Sequence, residues 1–370
     1  MQRKHLVAAA AAVALAGTAL GAPAVADDPS PKPKATKLVG GLISPLSVAV
    51  SDNGTIYYSQ NFTGTLLSKK PGKQPKVVYQ DPQGNEVGAV SERQGSLRFA
   101  VTISGDEEGN GAGAVLLGVG SNGNPKPLAD LFAFEENKNP DGDVEYGFRS
   151  LPDGCEVPEG FPFQYTGIVE SHPYATVQAP GRTFIADAAG NSILKYGRNG
   201  KLSTVAVLPP VRVTMTAEAA EGLELPECTV GSKYFFEPVP TDVEIGPGGN
   251  LYVTTLPGGP EDGSLGPLAS VYRIDPATGK TVKVAGGLIS ATGIAVDAKR
   301  NLFVAELFRG RIAKFKAGSK TPTRFLNILM PGDSDIRKGG DLYATVKVLV
   351  GPEGPEDPTP PGGEVVRIRR

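Results

Sequence analysis

Short apolar segments that alternate with turn residues recur along the chain. A turn built from Asp, Asn, Gly or Pro leads into a few alternating apolar residues, and such a turn between apolar runs is typical of a β-hairpin. The clearest copies are Ser51–Tyr58, Gly246–Val253 and Asp297–Val304. Weaker copies lie at Leu97, Phe184 and Leu342.

A longer repeat joins these hairpins into units. The segments Lys37–Val50 and Lys283–Val296 share Gly-Gly-Leu-Ile-Ser followed by an alternating strand. A third strand follows each hairpin, as in Ser270–Ile274, and a fourth follows another turn, as in Thr281–Ala285. Four short antiparallel strands per unit are typical of a propeller blade. The pattern therefore predicts an all-β fold, a six-bladed β-propeller, whose second strands are marked by Ile56, Leu97, Phe184, Leu251, Leu302 and Leu342.

Two of the gaps between these markers are too long for one blade. We expect them to hold capping insertions near 134–163 and 213–235, as Pro-rich or acidic loops on one face of the ring. The last blade ends with its third strand, Glu364–Arg369. Since Ala35–Val39 matches the fourth-strand segment Thr281–Ala285, the N-terminal strand is expected to join the last blade and close the ring. An open row of blades is the alternative.

The N-terminal segment has the pattern of a signal peptide. Arg3 and Lys4 precede an uncharged, Ala-rich run from Leu6 to Gly21, and small residues lie at 24 and 26. We expect cleavage after Ala26, a disordered spacer over 27–36 and the propeller over 37–370. An uncleaved anchor is the alternative, although a bilayer core needs about 20 apolar residues. The chain is thus predicted to be secreted, without stable membrane insertion.

Charge and cysteine content argue against nucleic-acid binding and against chemistry at cysteine. The full chain has a formal charge of −2, and loss of Arg3 and Lys4 leaves 35 basic and 39 acidic residues. A mildly acidic chain argues against nucleic-acid binding. The only cysteines are Cys155 and Cys228. In an exported chain, such a pair is more often a disulfide than a metal site or nucleophile, and we expect this bridge.

Few residues suit catalysis. Once His5 leaves with the leader, His172 is the only histidine, which argues against a multi-histidine metal site. His172 is either a base or lone ligand at the channel mouth, or a structural residue at a blade entry. The acidic runs 106–110 and 135–143 are expected to be solvated loops.

Carboxylates could hold calcium or another divalent cation near the innermost strands. The candidates are Asp187, Asp242 and Glu306, each with a structural alternative. In the structural alternatives, Asp187 would cap the turn that follows it, and Glu306 would pair with Arg309 or Arg311. Asp242 would only lie beside a threonine whose hydroxyl group is hydrogen-bonded to the backbone. We expect no cofactor otherwise.

Three segments resemble the ScyD/ScyE family of exported, NHL-repeat-like propellers. They are Pro240–Val253, Val271–Gly279 and Ile185–Asn191. The resemblance implies a six-bladed propeller and assigns no reaction. The chain departs from the family at His172-Pro173-Tyr174, where Asn-Pro-Tyr is common, and at Thr254-Thr255-Leu256, where Gly-Glu-Leu is common. If an acidic group there serves a ligand in the family, this chain lacks it.

Two functions are consistent with these features. The first is a non-catalytic, monomeric binding module that holds a protein, a glycan or a small ligand at the looped face. The alternative is a metal-dependent hydrolase of the gluconolactonase type, or a lyase, that uses a cation held by the channel carboxylates.

Overall fold

The structure is a computed structural model that describes residues 33–106, 111–120, 123–260, 265–337, 340–352 and 357–369. The expected signal peptide, 1–26, lies outside the described residues, as do 27–32 of the expected spacer and 107–110 of the first acidic run. Strand β1 spans Lys34–Leu42, so residues 34–36 of the expected 27–36 spacer belong to a strand.

The first two blades each contain four antiparallel strands in chain order. Blade 1 is formed by β2 (Val48–Val50), β3 (Ile56–Gln60), β4 (Thr65–Lys69) and β5 (Lys76–Gln80), and blade 2 by β6 (Glu86–Arg93), β7 (Ser96–Ile103), β8 (Gly113–Val119) and β9 (Pro125–Asp130). A 3-10 helix, Asn61–Thr63, joins β3 to β4. In the turn before β3, Gly54 has φ = +83°, a conformation that glycine adopts without steric cost.

Two insertions flank blade 3. The first contains helix α1 (Leu131–Lys138) and strands β10 (Glu145–Phe148) and β11 (Gln164–Thr166). Blade 3 follows as β12 (Pro173–Ala179), β13 (Arg182–Asp187), β14 (Ser192–Gly197) and β15 (Leu202–Val207). The second insertion contains β16 (Val211–Thr214), helix α2 (Ala217–Gly222), a 3-10 helix (Glu227–Thr229) and β17 (Lys233–Phe236).

The insertions are not the loops that the sequence led us to expect. Their strands form one sheet in the order β11-β10-β17-β16, which we call the inserted sheet. Phe148, Tyr234 and Phe236 are buried in its own hydrophobic cluster. The expected disulfide is confirmed, since Cys155 and Cys228 are bonded and so link the two insertions across 73 residues.

The last three blades complete the ring. Blade 4 is formed by β18 (Pro240–Ile245), β19 (Leu251–Thr255), β20 (Ala269–Ile274) and β21 (Thr281–Leu288), blade 5 by β22 (Ala291–Val296), β23 (Leu302–Glu306), β24 (Arg311–Phe315) and β25 (Thr323–Asn327), and blade 6 by β26 (Ser334–Ile336), β27 (Leu342–Val346), β28 (Gly363–Arg369) and β1. All six marker residues lie in second strands, as predicted.

The predicted ring closure is confirmed. Strand β1 pairs antiparallel with β28, with Ala35 opposite Ile368 and Val39 opposite Val365. The innermost strands neighbour one another in the circular order β2, β6, β12, β18, β22, β26. In the described part of the chain, six hydrophobic clusters each lie between two successive blades, and the inserted sheet belongs to none of them. The fold is therefore a six-bladed propeller with a seventh, inserted sheet.

Strand direction defines two faces of the ring. The innermost strand of each blade starts at one face, which we call the loop face, and the next strand returns to it. Because the strands alternate in direction, the turns between second and third strands and the connections between blades all lie at the loop face. Both insertions are such connections, since they join β9 to β12 and β15 to β18. The inserted sheet is therefore on the loop face.

Candidate functional site at the channel mouth

His172 lies where β12 enters the channel and is paired with a carboxylate that the sequence did not indicate. Its Nε2 lies 3.1 Å from Oε2 of Glu86, on blade 2, and the Asn61 amide donates to the other Glu86 oxygen at 2.9 Å. Burial lowers the pKa of His172, but the hydrogen bond and the charge of Glu86 outweigh it and leave the pKa raised. The pKa of Glu86 is lowered, since His172 outweighs the opposing effect of burial. The two residues form an ion pair between blades.

Asp187 is fully buried and holds the entry to blade 3. Its carboxylate accepts hydrogen bonds from Ser171 Oγ at 2.6 Å and from the His172 N–H at 2.7 Å. It also accepts one from the Gly190 N–H at 3.3 Å, in the turn that it was expected to cap. Burial raises its pKa, and these donors act against that rise. The contacts are those of a structural carboxylate.

Asp242 connects blade 4 to the next blade. Its carboxylate accepts from the N–H of Ile294 in blade 5 at 2.6 Å and from the Val243 N–H at 2.7 Å. The neighbouring Thr241 hydroxyl donates to the Ala291 carbonyl at 2.7 Å, which is the backbone bond considered from the sequence. Burial, followed by the charge of Asp333, raises the pKa of Asp242 well above its usual range.

Asp333 likewise connects two blades, blade 6 and blade 1. It accepts from the Val48 N–H at 2.7 Å and from the Ser334 N–H at 2.6 Å, and burial raises its pKa to about 7. The backbones of blades 5 and 6 lie close together beside Asp333. A glycine is needed at Gly293 in blade 5, because a Cβ there would lie 2.6 Å from the Asp333 Cα. Burial favours the neutral form of both Asp242 and Asp333.

Two further carboxyl groups lie deeper in the channel. Asp335 accepts from the Val50 N–H at 2.7 Å, and burial raises its pKa. Glu244 lies close enough for the charges of Asp335 and Asp333 to raise its pKa further, after burial. Asp333, Asp335 and Glu244 could not be recognised from the sequence as channel residues, since their proximity arises only when the ring closes.

Glu306 forms ion pairs with arginine, which is the structural role that the sequence offered as an alternative to metal binding. Its buried carboxylate pairs with Arg311 Nε and lies 3.8 Å from Arg309 Nη1. It also accepts from the Ile289 N–H at 2.9 Å. Thus the structure does not bring Asp187, Asp242 and Glu306 together as a set of free ligands. Within the described ranges, no three His, Cys, Asp or Glu residues are grouped to hold a metal ion.

A second acidic cluster lies beneath the inserted sheet. Glu135 and Asp141, from the run expected to be a solvated loop, are both fully buried. Asp141 accepts from Tyr146 Oη and Asn191 Nδ2, both at 2.9 Å, whereas neither oxygen of Glu135 has a hydrogen-bond partner. Burial, then Asp187 and Asp141, raise the pKa of Glu135 to about 8. The expectation of a solvated loop is wrong here, because helix α1 places Glu135 against blade 3.

Apolar side chains are exposed mainly at the loop face. Among the described residues, ten large hydrophobic side chains are exposed, and eight of them lie in loop-face turns, blade connections or the insertions. These eight, which we call the apolar rim, are Phe62, Phe163, Ile168, Val169, Val230, Phe308, Leu329 and Leu349, and they are 40 to 52% exposed. The other two, Val77 and Val282, lie on outer strands.

The loop face has little enclosed space near blade 4. The cavity beside Leu256 and Leu265 measures only about 10 Å³. That is room for no more than a single water molecule.

Comparison with known proteins supports the fold. No protein-family model matches the chain, and no curated protein is similar to it in sequence. Virginiamycin B lyase from Staphylococcus aureus, solved with quinupristin, superposes with a TM-score of 0.51 at 13% identity, covering 92% of this chain and 99% of that chain. A PQQ-bound aldose sugar dehydrogenase from Streptomyces coelicolor gives a TM-score of 0.56 at 12% identity, covering 91% and 98%. A gluconolactonase from Xanthomonas campestris gives 0.52 at 11% identity, covering 95% and 99%.

These likenesses show the β-propeller fold alone. The three similar proteins carry different activities on it, so a shared fold does not select one of them. The resemblance to the ScyD/ScyE family is matched by no family model. None of the described helices is long and apolar enough to cross a bilayer.

Proposed function

We propose that the chain is an exported, non-catalytic interaction module with a ScyD/ScyE-like propeller, and that it binds another exported protein through its loop face. The observation that carries this proposal is the apolar rim, since eight of the ten large hydrophobic side chains that are exposed among the described residues lie at one face. Exposed apolar residues that share one face and include aromatic members are typical of protein interfaces.

A protein fits this face better than a small ligand. The apolar rim is distributed over turns of blades 1, 5 and 6 and over the insertions, and the cavity beside Leu256 has no room for an organic molecule. Exposed apolar side chains spread over a broad surface are typical of protein–protein interfaces.

The contacts of the channel carboxylates also favour a non-catalytic function. Asp187, Asp242 and Glu306 each accept backbone N–H groups, and Glu306 also pairs with arginine. A carboxylate whose oxygens are already held by backbone N–H groups or by arginine is poorly placed to bind a cation or to move a proton. Export is supported by the predicted signal peptide and by the Cys155–Cys228 bridge, which is typical of oxidising compartments.

Photo-crosslinking tests the proposal. Benzoyl-phenylalanine replaces Phe308 in one protein and Val77, as a matched exposed apolar position, in another. Each is illuminated with the secreted proteins of its source cells. We expect position 308, and not position 77, to give one discrete adduct.

The adduct partner is then purified and its affinity is measured. Phe62→Ser/Phe308→Ser should weaken binding at least about tenfold, a loss of about 1.4 kcal/mol, whereas Val77→Ser/Val282→Ser should leave it unchanged. Equal adducts from positions 308 and 77, no adduct from position 308, or equal affinities of the two double variants would refute the proposal.

A further inference from the structure

An open cleft lies on blade 3 at the face opposite the loop face. Two turns border it, the β12–β13 turn at Pro180-Gly181 and the β14–β15 turn at Arg198–Lys201. Its volume is about 530 Å³, which is within the range of sites for small organic molecules. None of its residues belongs to the candidate site at the channel mouth.

The cleft is lined by four cationic side chains and by no acidic one. These are Arg182, Lys195, Arg198 and Lys201. In the described part of the chain, none of the four forms an ion pair, unlike Arg149, Arg309 and Arg311 elsewhere. Four unpaired charges of one sign around a concave surface repel one another, and an anion in the cleft would relieve that repulsion.

The β12–β13 turn is shaped to keep Arg198 at the cleft. Gly181 has φ = +72°, and a Cβ there would lie 2.8 Å from Arg198 Nε and 3.1 Å from its Nη2. The absence of a side chain at Gly181 therefore lets the guanidinium group lie against the turn. Guanidinium groups bind phosphate and sulfate oxygens through paired N–H donors.

The cleft is positively charged, whereas the protein as a whole is slightly acidic. The full chain has a formal charge of −2, so the four cations are a local concentration. At 0.1 M salt, charges interact over only about 10 Å, so an anion in the cleft responds to these four cations more than to the net charge. A single phosphate would fill little of the volume.

We propose that this cleft binds a soluble ligand that carries several closely spaced phosphate or sulfate groups. Arg182 and Arg198 supply paired donors, and Lys195 and Lys201 supply point charges. This site is independent of the loop face, because it lies at the other end of the strands of blade 3.

Calorimetric titration with sodium tripolyphosphate at 50 mM and 300 mM NaCl tests the proposal. The cleft variant is Arg198→Gln/Lys201→Gln. The control is Lys316→Gln/Lys320→Gln, which removes the same charge from exposed lysines in the corresponding turn of blade 5. A thermal melt of each protein with and without tripolyphosphate shows that the variants fold and gives a second readout.

Wild type and the control should bind with equal affinity, the cleft variant at least about tenfold more weakly, and the affinity should fall at 300 mM NaCl. Tripolyphosphate should raise the Tm of wild type and the control more than that of the cleft variant. Absence of binding by wild type, or equal weakening in both variants, would overturn the proposal. Sedimentation with phosphatidylglycerol vesicles without tripolyphosphate binding would also overturn it, in favour of a lipid surface.

Discussion

Replacement of Glu135 by Gln should change how the stability of the protein depends on pH. The side chain is fully buried on α1, and neither carboxyl oxygen has a hydrogen-bond partner. Burial, and then the charges of Asp187 and Asp141, raises its pKa from 4.5 to about 8. Each of these causes favours the neutral acid in the folded state.

The sign of the effect follows from the two states of the chain. In the unfolded chain the carboxyl group ionises near pH 4.5, whereas in the fold it keeps its proton up to about pH 8. Its contribution to stability is therefore fully present below pH 4.5 and is lost as the pH rises towards 8. Since one pKa unit corresponds to about 1.4 kcal/mol, the free energy of unfolding should fall by about 2 to 5 kcal/mol across this window because of Glu135.

Urea unfolding followed by circular dichroism at pH 5, 6.5 and 8 measures this term. Glu135→Gln has a similar volume and no ionisation, so its stability should resemble that of wild type at pH 5 and exceed it at pH 8. Glu136→Gln, at the exposed neighbouring position of α1, is the matched control and should follow wild type. Parallel pH dependences for wild type and Glu135→Gln would refute the reasoning.

Two further predictions concern stability. Cys155→Ser/Cys228→Ser opens a 73-residue loop and should lower the free energy of unfolding by up to about 4 kcal/mol in urea, and reductant should lower that of wild type equally. Reductant-insensitive wild type would contradict this. Glu306→Ala leaves Arg311 buried without its partner and should cost about 3 to 5 kcal/mol, most of which Glu306→Ala/Arg311→Met should recover. A double variant as unstable as the single one would contradict the ion-pair explanation.

The blades could be predicted from the sequence because their signals are local. A turn residue and the apolar alternation that follows it lie within eight residues, as in Ser51–Tyr58 and Asp297–Val304, and each segment forms the turn and second strand of a β-hairpin. The ring closure was predictable for a different reason, since Ala35–Val39 repeats a fourth-strand sequence.

The inserted sheet could not be predicted in this way. Its strands have three or four residues, and β10 and β17 pair across the whole of blade 3, as in Gly147 with Phe235. Short strands without an internal repeat give no periodic signal. The cluster Tyr234–Phe236 was an available hint, since aromatic residues favour strands.

The candidate site was predicted only in part for a similar reason. The sequence indicated the single residues His172, Asp187, Asp242 and Glu306, but it did not indicate their partners. Glu86 lies 86 positions from His172, and the Ile294 N–H that Asp242 accepts lies 52 positions away. Whether a carboxylate is free to bind a ligand depends on such distant partners. The candidate carboxylates Asp187, Asp242 and Glu306 all accept hydrogen bonds from backbone N–H groups.

The propeller uses its inner carboxylates as connectors, which separates stability from recognition. Asp242 holds blade 5, while Asp333 and Asp335 hold blade 1, each by accepting a backbone N–H from the other blade. Changes at these residues should therefore weaken the ring before they affect any ligand. The apolar rim and the cationic cleft make no such connections, and they lie at opposite ends of the strands. Phe62→Ser/Phe308→Ser should thus leave tripolyphosphate affinity unchanged, and Arg198→Gln/Lys201→Gln should leave the protein partner's affinity unchanged, because neither pair of side chains links blades.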